Sequence, residues 1–155
     1  MKEKYDVPIA PQSEFVSNMM EQMSRFGLPC TEEQAKDLYM YYAHMIETNK
    51  YLNLTGITDM KEVVVKHMID SLSCYDSEII KSGMTIIDVG TGAGFPGIPL
   101  AIYDRSLKVT LFDSLKKRLT FLESVIDKLK LTNCTTLHGR AEDLSHQDYR
   151  ESFDI

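Results

Sequence analysis

The sequence predicts an α/β protein, a doubly wound parallel sheet behind an N-terminal helical cap. Two observations carry the sheet and one carries the cap. Ile86-Ile87-Asp88-Val89 is a short apolar run that includes an acid, and four glycines follow within the eight residues 90–97. Such a run predicts a strand buried on both faces, because a sheet covered on both sides needs no polar alternation. Lys108-Val109-Thr110-Leu111-Phe112-Asp113 is a second strand closed by an acid. It comes about 20 residues after the glycines, the spacing of a βαβ unit. The first 80 residues instead repeat apolar side chains at helical spacing, so a cap at 1–80 and an α/β domain at 81–155 are expected.

Within the cap, Phe15, Met19, Met23 and Phe26 form one stripe, ended by Gly27. Thr31-Glu32-Glu33-Gln34 is a capping box opening a longer helix, with Ala35, Leu38, Tyr42, Met45 and Leu52 on one face. Asp59 and Glu62 start a third helix through Val63, Val64, His67, Met68 and Leu72. These Met and Tyr stripes have the period of packed faces and read as core.

In the second part, Pro96 suits the first turn of the helix after the glycines. Ser114 is placed to cap the next helix, whose Leu119, Leu122, Ile126 and Leu129 recur at spacings of three and four. A third strand, Cys134–His138, precedes Gly139-Arg140-Ala141-Glu142-Asp143. The order β-loop-α-β-α-β predicts parallel strands with right-handed crossovers, and ligands of such sheets lie at the carboxyl ends of the strands. The glycine loop, Asp113 and Ala141-Glu142 are therefore expected along one rim.

The 155 residues suit one domain with a helical addition, and 43% hydrophobic content can supply a core. No apolar run reaches bilayer length and no signal-type start is present, so neither membrane nor export is expected. Three cysteines, Cys30, Cys74 and Cys134, form no Cys-x-x-Cys pair or metal-ligand cluster. They read as plain buried thiols of a reducing cytoplasm, with no metal. A net charge of -6 argues against broad nucleic-acid affinity. The basic groups Lys116, Lys117 and Arg118, with Lys128 and Lys130, read as a solvated helix face; Lys50, Lys61 and Lys66 on the cap stay undecided.

The loop itself admits two cofactors. From Gly92, the pattern Gly92-x-Gly94-x-x-Gly97 fits a dinucleotide fingerprint, with a pyrophosphate on a helix N-terminus. From Asp88, the pattern acid-x-Gly-x-Gly-x-Gly resembles the first motif of S-adenosylmethionine-dependent methyltransferases. The charge of Asp88 would meet a pyrophosphate badly and an amino-acid ammonium well, and Pro96 removes one N–H from the donors an anion needs. A carboxylate at Asp113 stands where a ribose diol would be held.

Longer stretches carry a more specific resemblance. Asn49-Lys50-Tyr51-Leu52-Asn53-Leu54-Thr55-Gly56-Ile57, Lys66-His67-x-x-Asp70-Ser71-Leu72, and Asp88 through Gly97 with Ile98-Pro99-Leu100 together resemble the RsmG (GidB) family. So do Leu111-Phe112-Asp113-Ser114-Leu115-Lys116-Lys117-Arg118 and Arg140-Ala141-Glu142. The resemblance runs from about Gln34 to the end. It implies a Rossmann-like class I methyltransferase acting on N7 of a guanine in small-subunit (16S) ribosomal RNA. It further implies that Gly90 and Phe95 contact S-adenosylmethionine, that Ala141 and Glu142 lie near its adenine, and that Asp113 holds its ribose. Gly92 and Gly94 would give the methionine part room, and Asp88 would either meet the ammonium or brace the turn.

The same resemblance sets further expectations. Phe153-Asp154-Ile155 looks like the opening of a fourth strand of a seven-stranded sheet, so the chain reads as the first two thirds of a family member. Such a fragment is expected not to methylate RNA, and an uncovered apolar strand edge would favour self-association. Guanine N7 has a lone pair and no proton, so no general base is assigned; His67 and Asp70 read as structural. A dinucleotide-dependent oxidoreductase and a non-catalytic cofactor-binding module are the alternatives.

Overall fold

The computed structural model describes residues 6–144 and 152–155. The chain divides into two compact units, Met1–Asp70 and Ser71–Ile155.

The first unit is helical. Helix α1 spans Gln12–Phe26 and stops at Gly27, whose φ of 83° takes the left-handed conformation that glycine adopts without strain. Helix α2, Glu32–Asn49, opens on the expected capping box, with Thr31 and Gln34 each accepting the other's backbone N–H. Phe15 stacks on Tyr42 with ring centroids 5.0 Å apart. Ala10 ties both Tyr42 and Tyr39 down, its N–H donating to the Tyr42 hydroxyl at 3.1 Å and its carbonyl accepting from Tyr39 at 2.9 Å. Phe15, Met19, Met23, Leu38, Tyr41, Tyr42 and Met45 are fully buried. Phe26 is 47% exposed, so the α1 stripe ends one turn before its last expected member.

The third helix is not a single α-helix. It runs as α3 (Met60–Val63), a π-helical segment Val64–Ile69 and α4 (Asp70–Leu72). Its start is capped as expected, the Asp59 side chain accepting from the Glu62 N–H. The wider π turn carries His67, whose Nε2 lies 2.8 Å from Thr55 Oγ1. Thr55 belongs to a turn organised by the buried Asn49. The Asn49 Oδ1 accepts from the Leu54 and Thr55 N–H groups and its Nδ2 donates to the Thr55 carbonyl.

The second unit is a three-stranded parallel sheet in the order β1-β2-β3, with β1 Thr85–Val89, β2 Lys108–Asp113 and β3 Cys134–His138. Helix α5 (Gly97–Tyr103) links β1 to β2, and α6 (Lys116–Leu129) links β2 to β3. Ala141–Leu144 form a short helix, α7. The core gathers Ile98, Ile102, Leu107, Val109, Leu111, Leu119, Leu122 and Val125. Two details depart from the sequence reading. Strand β1 alternates, with Ile86 and Asp88 buried and Val89 49% exposed, so it is not buried on both faces. Pro96 sits just outside α5 as its N-cap residue, not in the first turn.

On the edge of β1 away from β2, the Ile155 N–H donates to the Thr85 carbonyl at 3.2 Å and the Ile87 N–H to the Ile155 carbonyl at 3.0 Å. One residue thus exchanges bonds with two residues on either side of Ile86, which is the parallel pattern. The Asp154 carboxylate accepts from the Thr85 N–H and hydroxyl, which draws its pKa down. Residues Asp154 and Ile155 therefore lie along this edge as a strand would.

These packings can be tested in two places. A Cβ on Gly97 would clash with Leu111 Cδ2 and stand 2.9 Å from Asp88 Oδ2, both on the sheet. Gly97→Ala should lower stability by about 1–3 kcal/mol, the usual cost of overpacking, whereas Gly56→Ala, with open space around it, should change little in the same denaturant titration. For His67, burial pulls the pKa below its ordinary 6.5, with the charge of Asp70 opposing. The unfolded chain then takes up this proton more readily than the folded one. Stability from this group is intact above the unfolded value and declines as pH falls below it. The stability gap between wild type and His67→Gln should narrow between pH 7.5 and 5, about 1.4 kcal/mol for each unit by which the folded pKa is lowered.

Candidate cofactor site at the sheet rim

Parallel pairing sets the rim. Val89 stands opposite Phe112, and Asp113 opposite His138, so the three strands end together and the segments leaving them collect at one side. The chain leaving β1 must turn back sharply to begin α5. Gly90, Gly92 and Gly94 make that possible, with φ of 71°, 60° and 106°, in the region where side chains are strained.

Two carboxylates hold the loop in place. Asp88 is buried beneath it, and its Oδ2 accepts from the Thr91 hydroxyl at 2.7 Å and the Gly97 N–H at 3.0 Å. Burial raises the Asp88 pKa above 3.8; the Thr91 and Gly97 bonds pull it down, and the charge of Asp113 adds to the rise. Asp113 is 3% exposed. Its Oδ2 accepts from the Gly92 N–H at 2.9 Å, tying the loop to the tip of β2, and its Oδ1 accepts from the Leu115 N–H at 2.9 Å. Arg118 Nη1 stands 3.6 Å from the same Oδ2.

Most of the other loop N–H groups are spent internally. Gly90 and Thr91 donate to the Phe112 carbonyl, Gly94 and Phe95 to the Thr91 carbonyl, and Ile98 to the Gly94 carbonyl. Pro96 has none. This leaves the loop without the row of outward N–H donors that a pyrophosphate cradle requires.

A hollow of about 180 Å³ opens on the rim, lined by Val89, Gly90, Phe112, Asp113, Ser114, Arg118, Gly139 and Ala141. A second, of about 130 Å³, shares Phe112 and Gly139 with it and extends past Arg140 and Asp143. Of the residues singled out in the sequence, Gly90, Asp113 and Ala141 thus meet on one cavity. Gly92 reaches it through its bond to Asp113, Gly94 is buried in the turn, and Phe95 is half-buried. Asp88 lies under the loop, and Glu142 is exposed beside Ala141, outside the lining.

Ser114 does not cap α6. The helix starts one residue later, with Leu115 as its N-cap residue and no side-chain cap bond, and the Asp113 carboxylate accepts the Leu115 N–H just ahead of it. Ser114 instead lines the hollow and offers its carbonyl to His138 Nε2 at 3.1 Å. Sequence reasoning missed Thr91, Val89, Phe112 and Arg118 as site residues. Thr91 was findable, being the one hydroxyl between the glycines and three residues from Asp88. Arg118 read as solvated helix face, and its nearness to Asp113 needs the fold. Of the three cysteines expected to be buried, Cys74 is exposed and Cys30 half-buried; Cys134, inside β3, has its thiol pushed up to about 12, by burial first and the charge of Asp88 second, which makes it a poor nucleophile. Among the described residues no cluster of His, Cys, Asp and Glu could hold a metal ion.

The model of one family, GidB: rRNA small subunit methyltransferase G, matches residues 34–155. A ribosomal RNA small subunit methyltransferase G from Lachnoclostridium phytofermentans is 46% identical over 140 residues, covering 90% of this chain and 58% of that protein. The protein of the same name from Thermoanaerobacter pseudethanolicus is 48% identical over 141 residues, covering 90% and 59%. The chain therefore spans somewhat under three fifths of the length of these relatives. Among solved structures, a coclaurine N-methyltransferase bound to N-methylheliamine and SAH aligns with a TM-score of 0.44 and 17% identity, over 84% of this chain and 44% of that one. With the family model covering most of its length and two such relatives, the chain belongs to the rRNA small subunit methyltransferase G (GidB) family.

Proposed function

We propose that this protein transfers a methyl group from S-adenosylmethionine to N7 of a guanine in small-subunit ribosomal RNA, with the rim hollow as its cofactor site. The observation that carries the reading is Asp113, a carboxylate at the tip of β2 that lines the hollow together with Gly90 and Ala141. A carboxylate suits a ribose diol, since each hydroxyl can donate to it. The closed loop N–H groups favour this cofactor over a dinucleotide, because a pyrophosphate would find two carboxylates and few donors.

Each residue then has a task. Asp113 holds the ribose. Gly90, Gly92, Gly94 and Phe95 shape the wall for the amino-acid part, where the missing Cβ atoms admit close approach. Ala141 and Glu142 flank the adenine. Asp88 keeps the loop in shape through Thr91 and Gly97. When bound, the cofactor supplies an electrophilic methyl on a sulfonium. The acceptor N7 presents a lone pair and no proton, so the protein's residues need to align and to exclude water, which is catalysis by proximity. No side chain is assigned as a general base. The RNA partner comes from family membership, and a cytoplasmic location follows from that partner; no described helix is long and apolar enough to cross a membrane.

Calorimetric titration of this chain with S-adenosylhomocysteine tests the site. Wild type should bind. Asp113→Ala should lose about tenfold or more, the value of hydrogen bonds to a charged group, and Asp113→Asn should lose less. Binding of NAD(H) without binding of S-adenosylhomocysteine would replace this reading with an oxidoreductase. Transfer of labelled methyl from S-adenosylmethionine to small-subunit RNA, mapped to a guanine N7, tests the acceptor.

A further inference from the structure

We propose that Arg118 screens by its charge, before ligand binds, an acceptor position on Asp113 that a ribose diol requires, and that it is a positioning residue displaced as the nucleoside enters. The proposal rests on the assignment of the rim hollow to S-adenosylmethionine. An ionised carboxylate accepts at about four positions, two on each oxygen. The Gly92 N–H takes one on Oδ2 and the Leu115 N–H takes one on Oδ1, each at 2.9 Å. Arg118 Nη1 faces Oδ2 from 3.6 Å. At that distance the guanidinium pairs by charge without a hydrogen bond, so one position is left on each oxygen, and the one on Oδ2 stands under the Arg118 charge. A diol brings two donors, so its second hydroxyl must take the place that Arg118 faces.

Access points the same way. Asp113 is 3% exposed, its surroundings being mostly its own protein, and both it and Arg118 line the hollow. A ligand in that hollow meets the guanidinium on its way to the carboxylate. The Arg118 side chain is 37% exposed, so it can move into water at small cost. The two backbone N–H partners cannot leave without undoing the loop or the start of α6. Of the three groups around Asp113, only Arg118 is able to yield.

An interaction present before binding and lost on binding subtracts from affinity, so removing Arg118 should tighten nucleoside binding. The pair is long and its arginine partly solvated, which keeps it weak and sets the gain at about two- to fivefold. A ligand with a single ribose hydroxyl can use the vacant position on Oδ1 and leave Arg118 where it is.

The experiment measures the dissociation constants of S-adenosylhomocysteine and its 2′-deoxy analogue for the 155-residue chain, as wild type and as Arg118→Gln. Arg118→Gln should bind S-adenosylhomocysteine about two- to fivefold more tightly and the deoxy analogue unchanged. Arg118→Lys should lie between the two proteins. Salt gives a readout in the wild type alone. Screening weakens the ion pair, so wild type should gain affinity for S-adenosylhomocysteine as ionic strength rises, while Arg118→Gln should not. Equal or weaker S-adenosylhomocysteine binding by Arg118→Gln, or an equal gain for both ligands, overturns the displacement. Failure of wild type to bind S-adenosylhomocysteine at all overturns the cofactor assignment as well.

Discussion

The rim depends on how two buried carboxylates divide the backbone N–H groups of one turn. Asp88 reaches up from β1 to Gly97 and Thr91, and Asp113 reaches across from β2 to Gly92. The loop is thereby fixed at its middle and at its far end, by neighbouring strands whose spacing the parallel ladder sets. Three positive-φ glycines make the turn sterically possible, but they do not choose its shape. The carboxylates do, because a buried charge demands donors and the loop has them to give. The electrostatic cost is visible at Asp88, whose pKa rises chiefly through burial, and also through the negative charge of Asp113.

This division of donors also bears on what the candidate site can accept. A glycine-rich turn before a helix is compatible with a phosphate cradle, provided its N–H groups point outward. Here Gly90, Thr91, Gly94, Phe95, Gly97 and Ile98 donate within the protein. The two motif readings of the same residues, one for dinucleotides and one for S-adenosylmethionine, differ in where hydrogen bonds go and hardly at all in residue type. A fixed, donor-poor surface with a carboxylate beside it favours a neutral or cationic ligand bearing hydroxyls.

Legibility in the sequence divides along the same line. Strands Lys108–Asp113 and Cys134–His138 lie where the sequence reading puts them, because strand pairing is governed by apolar pattern over several residues. The glycine loop and Asp113 were readable as a candidate site because both residue types are costly without a purpose. The shift of the α6 start from Ser114 to Leu115 was not readable. Ser114 has the better capping side chain, yet the helix opens one residue later with Asp113 accepting the Leu115 N–H, and that outcome depends on where the strand tip aims the carboxylate. The π segment at Val64–Ile69 was hidden for a similar reason: its widened turn accompanies the His67 contact with Thr55, a partner 12 residues away. Arg118 looked like one more solvated cation until the fold brought it to Asp113.

The start of α6 shows how one side chain can serve both fold and site. Lys116, Lys117 and Arg118 occupy its first turn, no acidic residue is there, and Leu115 supplies no cap. Cations at the positive end of a helix dipole cost about 0.3–1 kcal/mol each, and an absent cap costs about 1 kcal/mol more. Such a start needs an outside anion. Asp113 provides it, accepting the Leu115 N–H and standing 3.6 Å from Arg118, although it belongs to the strand and not to the helix. The charge that α6 requires at its N-terminus is therefore the same charge that binds Gly92 and faces the hollow. A side chain without an acceptor at this position would weaken the helix start and loosen the loop together, and, with the hollow assigned as proposed, it would remove the diol acceptor as well.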